Sequence, residues 1–189
     1  MHAKRWRFLW IPLALSAVPG GLCSEGEDES VEFSIKAAFL LNFTRYVEWP
    51  AGAFESEDAP ITIGVIGKDP FGPAIDRTME HKMVGKRRIV VRRFASIKDL
   101  KECHMLFVSD AELRGDLRKA LAGKSVLTVA DFPDFADKEG MVQFVWEESK
   151  IRFRINPDNA RAAKLKISSS LLRLARIATS KEGEPKADR

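Results

Sequence analysis

The stretch ITIGVIGKDPFG, Ile61 to Gly72, decides the fold. Its first six residues carry no charge and are rich in β-branched side chains, which reads as a strand buried on both faces. Asp69-Pro70-Phe71-Gly72 then reads as a turn into a short helix. Downstream the pattern repeats. Ile89 to Arg93, Met105 to Val108 and Val126 to Val129 are apolar, β-branched runs of strand length. Between the last two, Leu113, Leu117, Ala120 and Leu121 are spaced for one face of a helix over Glu112 to Ala122. Met141 to Val145 and Ile151 to Ile155 are joined by a hairpin-sized connection, Trp146 to Lys150, and predict an antiparallel pair. Asp158 to Lys164 and Ser169 to Ala178 predict closing helices. The fold class is α/β: a mostly parallel sheet covered by helices on both faces, a Rossmann-like sandwich, with a C-terminal antiparallel hairpin at its edge.

Upstream of the first strand, VEFSIKAAFLLNFTRY predicts a helix from about Val31 to Arg45, capped by Ser30. It is apolar nearly all round, so it is enclosed or part of an interface. Trp49-Pro50 closes the helical region. Surface left over at its end, around Tyr46, Val47 and Trp49, is the candidate for dimer or partner contact.

The ends bound where the protein works. Lys4, Arg5 and Arg7 precede an uncharged run of 11 residues, Phe8 to Val18, followed by small residues up to Ser24. A helix of that length reaches about 16 Å, roughly half a bilayer's ~30 Å hydrocarbon core. The segment suits an export signal and cannot anchor the chain as a membrane span. Residues 1–24 are therefore read as a signal peptide, 25–180 as one α/β domain and 181–189 as a disordered polar tail. The signal carries three basic and no acidic residues, so the formal charge of +4 falls to about +1 without it. Bulk charge then gives no argument for nucleic acid. Cys103 is the only cysteine after the signal region, which leaves no disulfide framework and predicts a buried thiol.

No catalytic constellation emerges. The glycines Gly64, Gly67 and Gly72 do not form a dinucleotide fingerprint, and Gly85-Lys86 lacks the hydroxyl of a phosphate loop. His104 beside Cys103 is the only dense pair of metal-ligand types, and neighbours on a strand point to opposite faces. Neither a metal site nor a cofactor is expected. Cys103, His104 and Asp110 or Asp131 resemble a triad only on paper, because Cys103 precedes a buried-looking strand. Asp69, Asp110 and Asp131 each follow a strand at its carboxyl end, where open α/β sheets collect ligands. They form the candidate ligand edge.

Six strings, in order, carry a resemblance. They are IKAAFLLNFTRYVEWP (Ile35 to Pro50), Asp69 to Gly72, Val84-Gly85-Lys86, CHMLFVS (Cys103 to Ser109), FRIN (Phe153 to Asn156) with Ala160 to Leu165, and ISSSLLRLA (Ile167 to Ala175). Together they resemble the YfiR-like periplasmic proteins from about Ser34 to Ile177. The chain departs from that pattern at Leu41, Pro157 and Lys164, and it lacks a second cysteine to pair with Cys103. The resemblance implies a non-catalytic periplasmic homodimer. It implies that the protein binds and represses an inner-membrane signalling enzyme, a diguanylate cyclase or sensor kinase, through that enzyme's periplasmic domain. The alternative is a periplasmic small-ligand-binding module linked to an uptake system, with its pocket at the carboxyl edge of the sheet.

Overall fold

Strands that are apolar on both sides need cover on both sides, and the computed structural model supplies it. It describes residues 25–179, with side chains from residue 30 onward; the predicted signal segment, 1–24, and tail, 181–189, lie outside the described residues. In chain order the elements are α1 (Glu25–Tyr46), β1 (Val47–Glu48), β2 (Ile61–Ile66), α2 (Pro73–Met79), β3 (Met83–Val84), β4 (Arg87–Phe94), β5 (Met105–Val108) and α3 (Arg114–Ala120). After these come β6 (Leu127–Ala130), β7 (Val142–Glu147), β8 (Lys150–Ile155), α4 (Pro157–Ala162), β9 (Lys166–Ile167), α5 (Ser169–Leu174) and β10 (Arg176–Ile177).

The main sheet has the order β10-β8-β7-β6-β5-β2-β4-β3. Its centre, β4-β2-β5-β6-β7, is parallel throughout, and β8 returns antiparallel to β7. The chain starts in mid-sheet with β2, steps out to β4, then crosses to β5 on the other side. That crossing makes the gap between β2 and β5 the switch point of the sheet. All six residues of β2 are buried. Gly64, at its centre, is required by packing, because a Cβ there would sit 2.7 Å from Leu106 Cδ1 and 2.8 Å from the Phe94 ring.

One face packs against α1, α2 and α5 in the larger core, which joins Leu40 and Phe43 of α1 to Ile63, Phe107, Val129 and Phe144 of the strands. The opposite face carries a smaller core under α3, built on Ile66, Leu106, Val108, Leu117 and Phe135. Cys103 belongs to this second core and is a free, buried thiol.

Several boundaries shift by one or two residues from the sequence reading, and three helices differ from it more. The first helix begins at Glu25 and not at Val31, so Ser30 lies inside it and its carbonyl accepts the Ser34 hydroxyl (2.8 Å). The helix predicted over Glu112 to Ala122 is a 3₁₀ turn at Ala111–Leu113 followed by α3. The closing helix stops at Leu174 and the chain becomes β10, parallel to β8. There the Ala178 N–H reaches the Ile155 carbonyl (2.8 Å). Pairing the open edge of β8 and burying Ala178 outweighs four more residues of helix. Leu174, placed on the buried side by helical spacing, is instead 72% exposed, while Leu171 is 4% exposed.

The two leucines therefore separate in a stability assay. Leu171→Ala should cost about 2–5 kcal/mol, and Leu174→Ala should stay within about 0.5 kcal/mol, measured by urea denaturation. Equal losses at both positions would mean that the helix continues. Cys103 should resist a thiol reagent in the native protein and react fully once unfolded, since burial raises its thiol pKa to about 12.

Candidate interaction surfaces and the carboxyl edge of the sheet

The three aspartates of the predicted ligand edge do lie at the carboxyl ends of strands, but each is held by a different structural partner. Asp69 accepts the Phe71 N–H (2.8 Å) and the Arg93 Nε–H (2.6 Å), tying the β2–α2 turn to β4. Arg93 also binds Asp76 (2.6 Å), and this bond holds the Asp76 carboxyl below its ordinary pKa. Asp110 caps the 3₁₀ turn by accepting the Glu112 N–H (2.8 Å). Asp131 accepts Lys36 Nζ from α1 (2.7 Å). The switch-point gap between β2 and β5 is itself filled. The Ser109 hydroxyl donates to the Ile66 carbonyl (2.9 Å), and a Cβ on Gly67, which has φ +91°, would lie 2.6 Å from Ser109 Oγ.

The open cavity at this edge lies farther along the sheet. β6 stops at Ala130, opposite Gln143, so Phe144 to Glu147 of β7 run on past it. A cleft of about 560 Å³ fills the space between that overhang, the 131–134 loop and α1. Its walls include Phe132, Phe144, Trp146 and Ile151. Lys36 reaches it from α1 with a side chain 4% exposed, lies over the Phe33 ring (4.4 Å) and contacts both Glu32 (2.5 Å) and Asp131. A nearly buried ammonium needs such partners to offset lost hydration. On the far side Arg154 grips Asp137 through two 2.6 Å bonds. Of the three predicted ligand-edge residues only Asp131 lines this cleft. The spacing of Glu32 and Lys36, four apart on one helix, was the available sequence signal for it. Nothing local foretold that Trp146, assigned to the hairpin connection, would stand at the cleft 58% exposed.

The other predicted surface lies at the opposite, amino edge. Tyr46 is 42% exposed, but Val47 is buried and paired with Ile167. Trp49 donates its indole N–H to the His104 carbonyl (3.0 Å) and meets Phe54 and His104 edge-on. His104 itself stacks on Phe54 at 4.3 Å. Ile177, paired with Ile155 at this end of the sheet, supplies further exposed apolar surface, and Leu174 is exposed at the end of α5. Cys103 and His104 precede β5 while Asp110 follows it, so that four-residue strand holds the groups about 13 Å apart. They do not converge.

A protein-family model described as YfiR/HmsC-like matches residues 33–176. The chain belongs to the YfiR/HmsC-like family. A search of the curated proteins returns no match. The family is regulatory and non-catalytic, with periplasmic members, and its theme is control of cyclic di-GMP signalling. Among the described residues no helix is long and apolar enough to cross a membrane, and no three His, Cys, Asp or Glu side chains group as metal ligands. The Cys103-His104 pair sits at the junction of the smaller core and the amino edge.

In this YfiR/HmsC-like chain His104 acts as a latch. Its Nδ1 accepts the Thr62 N–H (3.0 Å), so Nδ1 carries no proton, and Nε2–H donates to the Ala53 carbonyl (2.9 Å). Burial lowers its pKa below 6.5, with Arg87 adding to the shift and the Ala53 bond and Glu102 opposing it. With the folded value below the unfolded one, the unfolded chain takes up the proton first as pH falls. The stability that neutral His104 contributes is complete above about pH 6.5 and is lost as pH drops toward the folded value. His104→Gln should be less stable at neutral pH yet show a flatter stability profile between about pH 7 and 5.5, read by urea melts at each pH. Parallel profiles would show that His104 is not the titrating group.

Proposed function

We propose that the protein binds the periplasmic domain of an inner-membrane signalling enzyme, a diguanylate cyclase or a sensor kinase, and represses it. The observation that carries this reading is the family match over residues 33–176, which spans nearly the whole described domain. The committed state of the carboxylates supports it, since Asp69, Asp110 and Asp131 are all engaged in holding loops and α1. Binding is the mechanism left to such a surface. Repression needs the sensor's inactive conformation to be bound more tightly than its active one, because equal affinity shifts nothing. A preference of roughly a hundredfold, about 2.7 kcal/mol, turns a mostly active population into a mostly inactive one.

Two apolar surfaces are available, one at each end of the sheet. On α1 the exposed Val31 and Ile35 neighbour Glu32 and Lys36 in sequence, and Trp146 is exposed at the carboxyl-edge cleft that Glu32 and Lys36 line. This surface is assigned to the sensor. Tyr46 and Ile177 are exposed at the amino edge, and Leu174 is exposed at the end of α5, where the chain enters β10, the last strand of the sheet. This second surface is assigned to a homodimer. Exported protein is the form that acts, and its soluble domain meets the sensor outside the inner membrane.

Deleting the gene should raise the output of one membrane cyclase or kinase. Wild-type protein should restore it, whereas exported Trp146→Glu should leave output high while remaining folded and dimeric. Leu174→Glu should shift the protein toward monomer in sedimentation. Full complementation by Trp146→Glu would remove the sensor from this cleft, and an unchanged signalling output on deletion would reject repression altogether.

A further inference from the structure

The face of the sheet opposite α1 holds a second concavity, of about 290 Å³, between α3, the turn that follows it and α4. That is near the lower bound of small-molecule pockets, roughly 300 Å³. Its floor is apolar. Leu117, Val126 and Phe135 are each 5% exposed or less, and Met141 lies beside them. Gly140 allows the chain to pass flat against Phe135, since a Cβ there would be 2.2 Å from the ring. Asn159 holds the same loop from α4 by donating to the Lys138 and Gly140 carbonyls (3.1 and 2.8 Å). The floor is thus built by backbone constraints and not by loose side chains.

The rim is basic. Arg114, Arg118, Lys124 and Lys138 line the cleft against one carboxylate, Glu139. Glu139 is taken by Arg114 (3.2 Å). Lys138 reaches Asp134 at 3.5 Å, a pair more than half exposed on both sides and therefore weak. Lys124 has no carboxylate partner among the described residues. Several positive charges around a partly enclosed apolar surface repel one another more than they would in open water. An anion placed among them relieves that repulsion, and an apolar body attached to it covers the floor.

We infer that this cleft binds a small amphipathic anion, a carboxylate or sulfonate whose head sits by Lys124 and whose apolar body lies on Leu117, Val126 and Phe135. The site lies on the opposite face of the sheet from α1 and does not depend on the regulatory reading. A cationic or zwitterionic solute would meet the wrong charge at the rim, and an uncharged one would leave Lys124 without a counter-charge.

The test uses 8-anilinonaphthalene-1-sulfonate with the purified protein, read by fluorescence titration, with decanoate as competitor. A single site is expected, displaced by decanoate and weakened by added salt. Lys124→Glu should weaken binding about tenfold or more by reversing a rim charge. Ala162→Trp, which leaves charge unchanged and fills the cleft from exposed α4, should weaken it about tenfold or more by exclusion. Lys119→Glu reverses an exposed charge on α3 outside the cleft, already paired with Asp116 at 3.8 Å, and should change affinity by less than about twofold. Far-UV circular dichroism confirms that each variant is folded. Unchanged affinity in Ala162→Trp would overturn the assignment, as would an equal loss in Lys119→Glu. Equally tight binding of uncharged N-phenyl-1-naphthylamine would overturn the requirement for an anion.

Discussion

The contact between α1 and the β7–β8 hairpin is the constraint on which the remaining structure depends. Phe39 and Phe43 of α1 meet Phe144 and Phe153 of the hairpin in four ring pairs, with centroids 5.2 to 5.9 Å apart. Offset and edge-on rings at such spacings contribute beyond their buried area, about 0.5–1.5 kcal/mol per pair. More important is what the helix covers. A parallel sheet cannot leave one face to water, because its strands have no polar side to present. With α1 in place, Leu40 and Phe43 are completely buried and the β2, β5 and β6 side chains beneath them are dry.

That docking also decides where charge can go. Lys36 lies on the buried side of α1 and is drawn into a site where Glu32, Asp131 and the Phe33 ring offset its lost hydration. The carboxyl edge of the sheet, where a ligand site would ordinarily form, is consequently used to hold the helix. Arg93 and Asp69 do the same for the β2–α2 turn, and Ser109 fills the switch-point gap. The polar groups that could have served chemistry are employed as internal ties.

The amino edge is organised differently. There the ties are aromatic rings and a guanidinium: Trp49 and Phe54 close around His104, Arg87 lies over the Phe54 ring at 3.7 Å, and Arg87 also binds the Ser56 and Ala59 carbonyls. The Trp49-Pro50 segment and the start of β5 are thereby joined across 55 residues of chain. This accounts physically for a Trp-Pro pair and a Cys-His pair occurring in one domain without any shared catalysis. The tryptophan and histidine form the latch, and the cysteine fills the core behind it.

Periodicity carried much of this in the sequence itself. β2 and β5 have the boundaries read from their apolar runs, and the hairpin is antiparallel as its spacing requires. Such strands are legible because burial on both faces demands uninterrupted apolar residues, a purely local signal. The α/β class, the buried cysteine and the family resemblance follow from signals of the same kind. Tertiary structure decided the rest. Ile177 and Ala178 became a strand and its extension because β8 had an open edge to satisfy, and Leu174 turned outward as a result. Val47 was buried by pairing with a strand 120 residues away. The carboxyl-edge cleft exists because β7 outruns β6, and the basic cleft on the opposite face because Arg114, Lys124 and Lys138 converge from separate loops and α3. None of these is local: each depends on which strand lies beside which and how far it extends, and no single segment contains that information.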